Sequence, residues 1–528
     1  MSTRNIIPEA KKKAVSKLGP PLKVEAFASD QVEKLFSRSG EDVLVVVEDD
    51  RILGLLSRLV WEKASSYHLS LMPGELAFEI PQIFQILPDE EIFSLFQNPL
   101  RRIFWGEDLL SLEDFWVLRP PEDLSPRRLV LKGDLAYLRE ELLSVAQDLK
   151  IGLFLVGGAV RDLLLKRESF DLDFVVTRNC KVFAEVVSQK LKAPLVKSSL
   201  FGTFKLSWRG FEIDLAQARW EYYEAPAKLP KVAPGPLSWD LFRRDFTINA
   251  LALDLETLTL VDFYGGERDL HERRLEVLHI LSFVDDPTRL FRAARYATRF
   301  GLSLSPNFLK ALELARRLKV ISLLSPARLR NEIKRILVEE EPFAAFVWLK
   351  ERKLLEELCG KEPDLSPLKR LLADSFFRDL NEDEKLVAIL LSLSPQKDFL
   401  IRLGLSEKMS TWCENFFQEL ENKRNFLLSS KVSLSEKVFF LEKGPLSAIL
   451  AFKAHYPELK EEMEKILAAQ KTRPCLTGKD LQRMGISPGP LYGKILKHLR
   501  AAKIDGLLKN RDDEISFLKK EYPDVFSA

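Results

Sequence analysis

The stretch from Leu153 to Val176, LFLVGGAVRDLLLKRESFDLDFVV, constrains this chain more than any other. Its opening apolar run, Leu153-Phe154-Leu155-Val156, suits a buried strand, and Gly157-Gly158 breaks that strand. A short apolar helix is expected from Val160 to Leu165, opened by Arg161 and Asp162. The chain then returns to a strand at Asp171-Leu172-Asp173-Phe174-Val175-Val176. Side chains alternate faces along a strand, so Asp171 and Asp173 point the same way. Two adjacent carboxylates repel, and a divalent cation is the usual remedy. A Gly-Gly turn just ahead of them leaves backbone amides open to close approach by an anion. Phosphate together with magnesium is the chemistry both features suit.

A chain of 528 residues is too long for one hydrophobic core and implies two to four domains. Its 80 basic residues nearly balance 78 acidic ones, so any nucleic-acid partner must be met by a local patch and not by net charge. The four cysteines, Cys180, Cys359, Cys413 and Cys475, are far apart and form no Cys-x-x-Cys or Cys/His pair, which argues against a local zinc site. Reduced cysteines, no secretory leader in MSTRNIIPEAKKKAVSKLG and no run near the ~20 apolar residues of a membrane helix predict a cytoplasmic protein without a membrane partner. Only five histidines are present and none is clustered, which weakens a histidine-centred hydrolase reading.

Taken in order, residues 1–118 read as one unit. Val43 to Val47 is expected as a strand, Glu48-Asp49-Asp50 as a turn, Ile52 to Leu56 as a second strand and Arg58 to Ala64 as a helix. About twenty residues of this pattern resemble half of a CBS module; a generic α/β appendage explains them equally simply and is preferred. The proline-punctuated segment Arg119 to Pro126 marks a boundary. A helix from Gly133 to Leu149 leads into the opening stretch. A helix from Cys180 to Lys192 and strands at Gly202 to Trp208 and Phe211 to Ala216 follow, the strands joined by a tight Arg209-Gly210 turn. Residues 127–278 therefore read as a mixed helix-and-strand domain. From Asp285 the pattern becomes almost wholly helical, beginning with Arg289 to Phe300, Pro306 to Leu318 and Pro326 to Glu339. The fold class expected is α+β, with an all-α C-terminal half.

Three further groups carry possible chemistry. Asp214 lies mid-strand in Phe211-Glu212-Ile213-Asp214-Leu215-Ala216, where a third carboxylate on a neighbouring strand would complete an ion site; Glu212 on the same face fits a solvent-facing sheet edge, and the pattern leaves both open. In Arg243-Arg244-Asp245-Phe246-Thr247-Ile248-Asn249-Ala250, arginine forks suit phosphate oxygens, and Asn249 falls one helical turn after Asp245. As a bare pattern this is also a salt-bridged helix start. In Asp285-Asp286-Pro287-Thr288-Arg289, an aspartate caps a helix with Pro287 at its first position. Arg289, Arg292, Arg295 and Arg299 then form one stripe, and Asp286 beside Arg289 supplies the acceptor and donor that reading a base edge requires. Intrahelical pairing explains such a stripe as well.

Together these segments resemble the class II tRNA nucleotidyltransferase and bacterial poly(A) polymerase family, over about Phe154 to Glu339. Gly157 to Asp162 with Asp171-Leu172-Asp173 is similar to the family's first motif, for triphosphate and metal. RRDFTINA from Arg243 is similar to the second, for ribose. Tyr264 to Leu270 resembles the third, a connector, and Asp285 to Arg289 the fourth, which reads the incoming base. The family usually has glutamate where Asp285 stands. Ser325 to Glu332 resembles a following neck helix. The resemblance implies a polymerase-β-like head at 127–278, a helical neck at 279–345 and a helical body and tail at 346–528. It implies that Asp171 and Asp173 hold Mg²⁺, with Asp214 a third catalytic carboxylate. It also implies that Gly157, Gly158 and Arg161 cradle the triphosphate, that Arg244, Asp245 and Asn249 lie near the sugar, and that Asp286 and Arg289 choose the base, with Arg292 and Arg295 beside them.

The segment from Thr472 to Gly506 resembles the tail of many such enzymes. Pro488-Gly489-Pro490 precedes a helix bearing Lys494, Lys497, Arg500 and Lys503, and Lys479 lies just upstream; clustered lysines suit an RNA backbone. The expected function is template-independent addition of all or part of the 3′-terminal CCA to tRNA from CTP and ATP. A poly(A) polymerase is the alternative enzyme and a non-catalytic RNA- or nucleotide-binding module the alternative of another class. The residues leave open whether CCA, CC or A is added, and in what oligomeric state. The Tyr222 to Trp239 segment, proline-rich and read as a stiff loop, lies where the family places a specificity loop.

Overall fold

The computed structural model describes residues 22–39, 41–83, 95, 97–100, 102–105, 108–111, 127–197, 202–394, 396–418 and 420–523. The segment Arg119 to Pro126 lies outside them. The chain divides into two compact units, Met1–Leu324 and Ser325–Ala528, so the division falls within the stretch expected as neck.

In the first unit, β1 (Lys23–Glu25), α1 (Ser29–Ser39), β2 (Val43–Glu48), β3 (Arg51–Ser57) and α2 (Arg58–Ser66) follow in order. β2 pairs in parallel with β1 and antiparallel with β3. Val43 to Val47 is buried throughout, as a continuous apolar run on a central strand demands. The strand-turn-strand-helix reading is thus borne out. A second small sheet, β4 (Gln82–Ile83), β5 (Arg102–Trp105) and β6 (Asp108–Ser111), adds to this N-terminal part.

α3 (Gly133–Asp148) then precedes a seven-stranded mixed sheet. It contains β7 (Leu153–Val156), β8 (Asp171–Val176), β9 (Val196–Lys197), β10 (Phe204–Trp208), β11 (Phe211–Gln217), β14 (Leu251–Asp254) and β15 (Leu260–Asp262), in the order β15-β14-β7-β8-β11-β10-β9. Only β8 and β11 run parallel; the other pairs are antiparallel. Arg209 and Gly210 both take positive φ, 46° and 84°, in the turn that joins β10 to β11.

The alternation on β8 decides where the carboxylates go. Leu172, Phe174 and Val176 are buried in a core with Leu138 and Leu142 of α3 and Phe183 and Val187 of α5 (Cys180–Leu191). Each such side chain contributes about 1.5–3 kcal/mol when fully buried. That burial fixes the register, and Asp171 and Asp173 must then share the opposite face with Val175. Val175 packs there against Val156, Ala218, Leu241 and Ala252. β11 repeats the rule: Ile213 and Leu215 enter the first core, and Asp214 lies across from Asp173 in the parallel register.

α4 (Gly158–Leu164) follows β7 directly. Within the segment read as a stiff loop, residues 223–230 are the connection of a hairpin, β12 (Arg219–Tyr222) with β13 (Lys231–Pro234), and α6 (Leu237–Phe242) follows. Pro226 and Pro230 lie in the connection, Pro234 ends β13 and Pro236 precedes α6, so none interrupts the middle of the ladder. α7 (Gly266–His271), the short helix α8 (Ser282–Asp285), α9 (Thr288–Phe300) and α10 (Pro306–Arg317) complete the first unit.

The second unit is helical throughout its described residues, from Pro326–Leu337 to Arg511–Glu521. Its tail has its own core of Leu476, Leu481, Ile486, Ile495, Leu499, Leu508 and Leu518. Among the described residues, no helix is long and apolar enough to cross a membrane.

Candidate active site

Gly157 joins β7 to α4 with φ 74° and ψ −134°, a conformation open only to glycine. Its amide is taken by the Leu251 carbonyl at 2.9 Å, so the turn is pinned to β14. A Cβ here would collide with Nη1 of Arg244 and come within 3.6 Å of Asp173 Oδ2. The glycine therefore makes room for Arg244 beside Asp173, and its amide is not free for the anion contact expected from the Gly-Gly pattern.

Burial pushes the Asp173 carboxyl up, Arg244 opposes this, and Asp171 and Asp214 add to the rise. Burial likewise raises Asp171, followed by repulsion from Asp214. Asp214 forms an ion pair with Lys205 on the adjoining strand at 2.8 Å. Among the described residues no group of three or more acid, histidine or cysteine side chains is arranged to hold a metal ion. Two carboxylates raised by burial and by neighbouring acids nevertheless fit a hard cation that takes its other ligands from water and substrate phosphates.

Asp240 organises the arginines. It is fully buried on α6 and accepts from Arg243 Nε (3.1 Å) and Nη2 (2.9 Å) and from Arg244 Nη2 (3.3 Å). Burial alone would raise its pKa, but Arg243 and Arg244 outweigh that and hold it below the usual carboxylate range. Arg243 also reaches Glu221 at 3.1 Å. Arg244 Nε is buried with no hydrogen-bond partner among the described residues. An orphaned guanidinium N–H beside Asp173 and Gly157 suits an anionic ligand.

Arg161 is 4% exposed and is not open to solvent. It donates to Asn249 Oδ1 at 2.6 Å and to Asp162, and its guanidinium lies over Phe300 (4.7 Å) and Tyr296 (5.3 Å). Asn249 Nδ2 in turn donates to Asp245 Oδ1 at 3.0 Å, and Arg292 Nε to Asp245 Oδ2 at 2.6 Å. Arg292 continues to the Tyr296 hydroxyl at 3.0 Å. The expected sharing of a face by Asp245 and Asn249 is met through a 3₁₀ turn, Thr247–Asn249, instead of an α-helix. Burial opposes ionisation of Asp245, yet Arg292 and Asn249 keep its pKa low.

Ahead of the helix that follows, Asp286 Oδ1 accepts from the amide and hydroxyl of Thr288 at 2.9 and 2.5 Å, and Asp285 ends α8; the N-cap position is Pro287, so the expected aspartate cap is not met. The assigned helix starts at Thr288, with Pro287 just before it. Arg289 is buried and donates to Ser282 Oγ (2.7 Å) and to the Arg243 carbonyl (2.7 Å). Arg292, Arg295 and Arg299 all stand 5.6–5.9 Å from the Tyr296 ring centre, so the stripe is gathered around one aromatic side chain. The structure thus brings together Gly157, Asp171, Asp173, Asp214 and Arg244 at one end. At the other it gathers Arg161, Asp245, Asn249, Arg292 and Arg295, with Asp286 and Arg289 on the same helix. Gly158 starts α4 beside them.

In the tail, Lys479, Lys494 and Lys497 are exposed, and Lys497 lies over Phe439 at 5.0 Å. Arg500 pairs with Glu442, and Lys503 with Glu514 and Cys475. The helix Pro490–Ile504 thus keeps Lys494 and Lys497 outward and ties two of its other cations to carboxylates.

Sequence patterning does not single out Asp240, Glu221, Lys205 or Tyr296. Asp240 stands three and four residues before Arg243 and Arg244, the spacing of helical ion pairs, and that is the one signal that points to it.

The chain matches the model of the Poly A polymerase head domain over residues 153–276. It is 28% identical over 561 residues to an A-adding tRNA nucleotidyltransferase of Geobacter sulfurreducens, an alignment covering 92% of this chain and 62% of that protein. It is 31% identical over 380 residues to a CC-adding tRNA nucleotidyltransferase of Deinococcus radiodurans, covering 70% of this chain and 88% of that one. A solved structure of a Thermotoga maritima CCA-adding enzyme complexed with tRNA superposes with TM-score 0.61 at 26% identity, over 75% of this chain and all of that chain.

Proposed function

We propose, because this chain belongs to the tRNA nucleotidyltransferase family, that it adds all or part of the 3′-terminal CCA to tRNA from CTP and ATP, releasing pyrophosphate. The observation that carries the reading is Arg244 beside Asp173 at the Gly157 turn, with Asp171 on the same strand face: charge for a phosphate next to charge for a metal. The alignment that spans 92% of the chain, and so takes in most of the N-terminal part, is to an A-adding enzyme, which favours the terminal adenosine as the residue added.

The terminal 3′-hydroxyl of the RNA attacks the α-phosphate of the nucleotide, and the bond to pyrophosphate breaks. Asp171 and Asp173 would hold Mg²⁺, which when bound supplies Lewis-acid stabilisation of the reacting oxygens. Asp214 adds negative charge beside them, and is itself paired with Lys205 on the adjoining strand β10. Arg244, held by Asp240, offers its free Nε–H to the phosphate. Arg161 acts at one remove: it holds Asn249, which holds Asp245, and this fixes the sugar-facing turn. Gly158 opens the turn to the triphosphate. Asp286 and Arg289 present an acceptor and a donor to the base, with Arg292 and Arg295 behind them. Pre-placed charge is the main contribution a protein makes to phosphoryl transfer. In the second unit, exposed Lys479, Lys494 and Lys497 would meet the tRNA backbone.

The test supplies tRNAs ending before the first C, after one C and after CC, each with a single labelled nucleotide and Mg²⁺. Incorporation of A alone into the CC-ending tRNA is expected. Extension of unstructured RNA with many adenosines would instead establish a poly(A) polymerase, and no incorporation on any tRNA would overturn the enzyme reading. Asp173→Ala should abolish addition with tRNA binding retained.

A further inference from the structure

The N-terminal part does not hang free of the rest of the first unit. The amide of Glu79 donates to Asn307 Oδ1 at 2.6 Å, and Asn307 Nδ2 donates back to the Glu79 carbonyl at 3.0 Å. Lys310 Nζ donates to the Ala77 carbonyl at 2.7 Å, Arg317 pairs with Glu75, and Arg268 donates to the Gln97 carbonyl at 3.3 Å. Separately from these contacts, α2 meets the segment that ends in Asp285 and Asp286. There Lys63 Nζ meets Asp285 Oδ2 at 2.6 Å, and the Tyr67 hydroxyl donates to Asp285 Oδ1 at 2.6 Å. Asp285 is 1% exposed, so both of its oxygens are satisfied by side chains from the N-terminal part. His279 Nε2 stands 3.5 Å from the same carboxylate.

This contact borders a cavity of about 340 Å³ lined by Leu59 and Lys63 of α2, Tyr223, Trp239, Asp285 and Arg289. Lys63 stands 5.7 Å from the Tyr223 ring centre. α2 therefore forms one wall of the space onto which Arg289 opens, and Asp285 is the residue next to Asp286.

We propose that Lys63 and Tyr67 are specificity-determining positioning residues: they fix Asp285, and with it the neighbouring Asp286 and Arg289, so that the N-terminal part completes the base-reading site. The inference rests on the assignment of Asp286 and Arg289 to the base. The physical reason is that a buried carboxylate needs its partners. With Lys63 removed, Asp285 keeps a charge that burial penalises, and α8, whose Ser282 holds Arg289, must shift to rehydrate it. A shift of about 1 Å at Arg289 degrades a donor–acceptor match far more than it degrades phosphate positioning.

The experiment measures kcat and KM for ATP and CTP on a CC-ending tRNA with the full chain, for Lys63→Met, Tyr67→Phe, Lys63→Arg and Glu75→Ala, alongside melting temperatures. In Lys63→Met, discrimination between the two nucleotides, taken as the ratio of kcat/KM values, should fall by tenfold or more, with KM for the preferred nucleotide rising more than kcat falls. Tyr67→Phe, which removes only a hydroxyl and keeps the ring, should show the same direction with a smaller loss, and it answers the question if Lys63→Met does not fold. Lys63→Arg should restore most of the discrimination. Glu75→Ala, which loosens the docking away from Asp285, should leave discrimination unchanged. A lowered melting temperature with unaltered discrimination in both Lys63→Met and Tyr67→Phe would overturn the proposal and leave a purely structural contact. Arg289→Ala separates the two readings: if it too leaves discrimination intact, the base assignment itself has failed.

Discussion

Replacing Asp240 by asparagine changes one charge and almost no volume. The side chain is fully buried and receives three hydrogen bonds from two arginines, besides the Arg219 amide at 3.3 Å. In Asp240→Asn, Arg243 retains Glu221, but Arg244 loses the one carboxylate it is bonded to. Charged hydrogen bonds are worth roughly 1.5–3 kcal/mol each, and stranding a buried charge costs about 3–5 kcal/mol. Because Arg243 keeps a partner and asparagine still accepts one bond, the lower end, about 3 kcal/mol, is expected. The pH dependence separates this from a packing effect. Asp240 has a folded pKa held below its unfolded value of ~3.9, so its stabilisation is complete above that value and fades as pH falls through the folded pKa. The stability gap between wild type and Asp240→Asn, followed by denaturant unfolding, should therefore be flat from pH 8 to about 5 and close only at lower pH. Arg244, released beside Gly157, should also cost roughly 10²-fold in kcat/KM for the nucleotide, the scale of a 1 Å misplacement. A variant that melts with wild-type stability and reacts within twofold of wild type would refute the role given to Asp240. A gap that widens toward acid would refute the electrostatic reasoning alone.

Gly157→Ala should lose activity by tenfold or more in the same nucleotide-addition assay, since the backbone conformation costs about 1–3 kcal/mol for alanine and its Cβ displaces Arg244. Asp214→Asn should extend activity to lower pH: Asp214 raises both Asp171 and Asp173, so without it the pair stays ionised further into acid, and an acidic limb that stays put or moves up would contradict this. Lys494→Ala with Lys497→Ala should weaken tRNA binding and flatten its dependence on salt by roughly 1.5 in log–log slope, about 0.7–0.9 for each phosphate no longer neutralised.

Much of the head was legible because its signals are local. β8 spans the six residues expected, Asp171 to Val176, since alternation of Leu172, Phe174 and Val176 with acids admits one register only. The turn at Arg209-Gly210 and the helices from Gly133 and Cys180 carry equally local marks. What stayed hidden depends on residues far apart in the chain. Proline density in Tyr222 to Trp239 reads as a loop, yet the pairing of Trp220 with Ala233 and Tyr222 with Lys231 makes a hairpin around it. The family resemblance implies Arg161 as a phosphate ligand, but it is buried with its guanidinium over Tyr296 and Phe300, more than 130 positions away. The contact between Lys63 and Asp285 joins residues 222 positions apart and leaves no trace in either local pattern.

These distant contacts give the site its division of labour. A hydrogen-bonded chain runs from Arg161 through Asn249, Asp245 and Arg292 to Tyr296, and its members come from α4, the 3₁₀ turn and α9. Every link is ionic or charge-assisted, or joins polar groups that are buried, so leaving any one of them unmade is costly. The chain therefore behaves as a brace: it holds the start of α9 at a fixed distance from the Gly157 turn. Asp171 and Asp173 do not take part in it; Asp173 lies beside Arg244 at the Gly157 turn. Under the proposed function, bond-making and base choice would fall to different residues of one frame. A substitution on β8 should change how fast a nucleotide is added, and one on α8 or α2 should change which nucleotide it is.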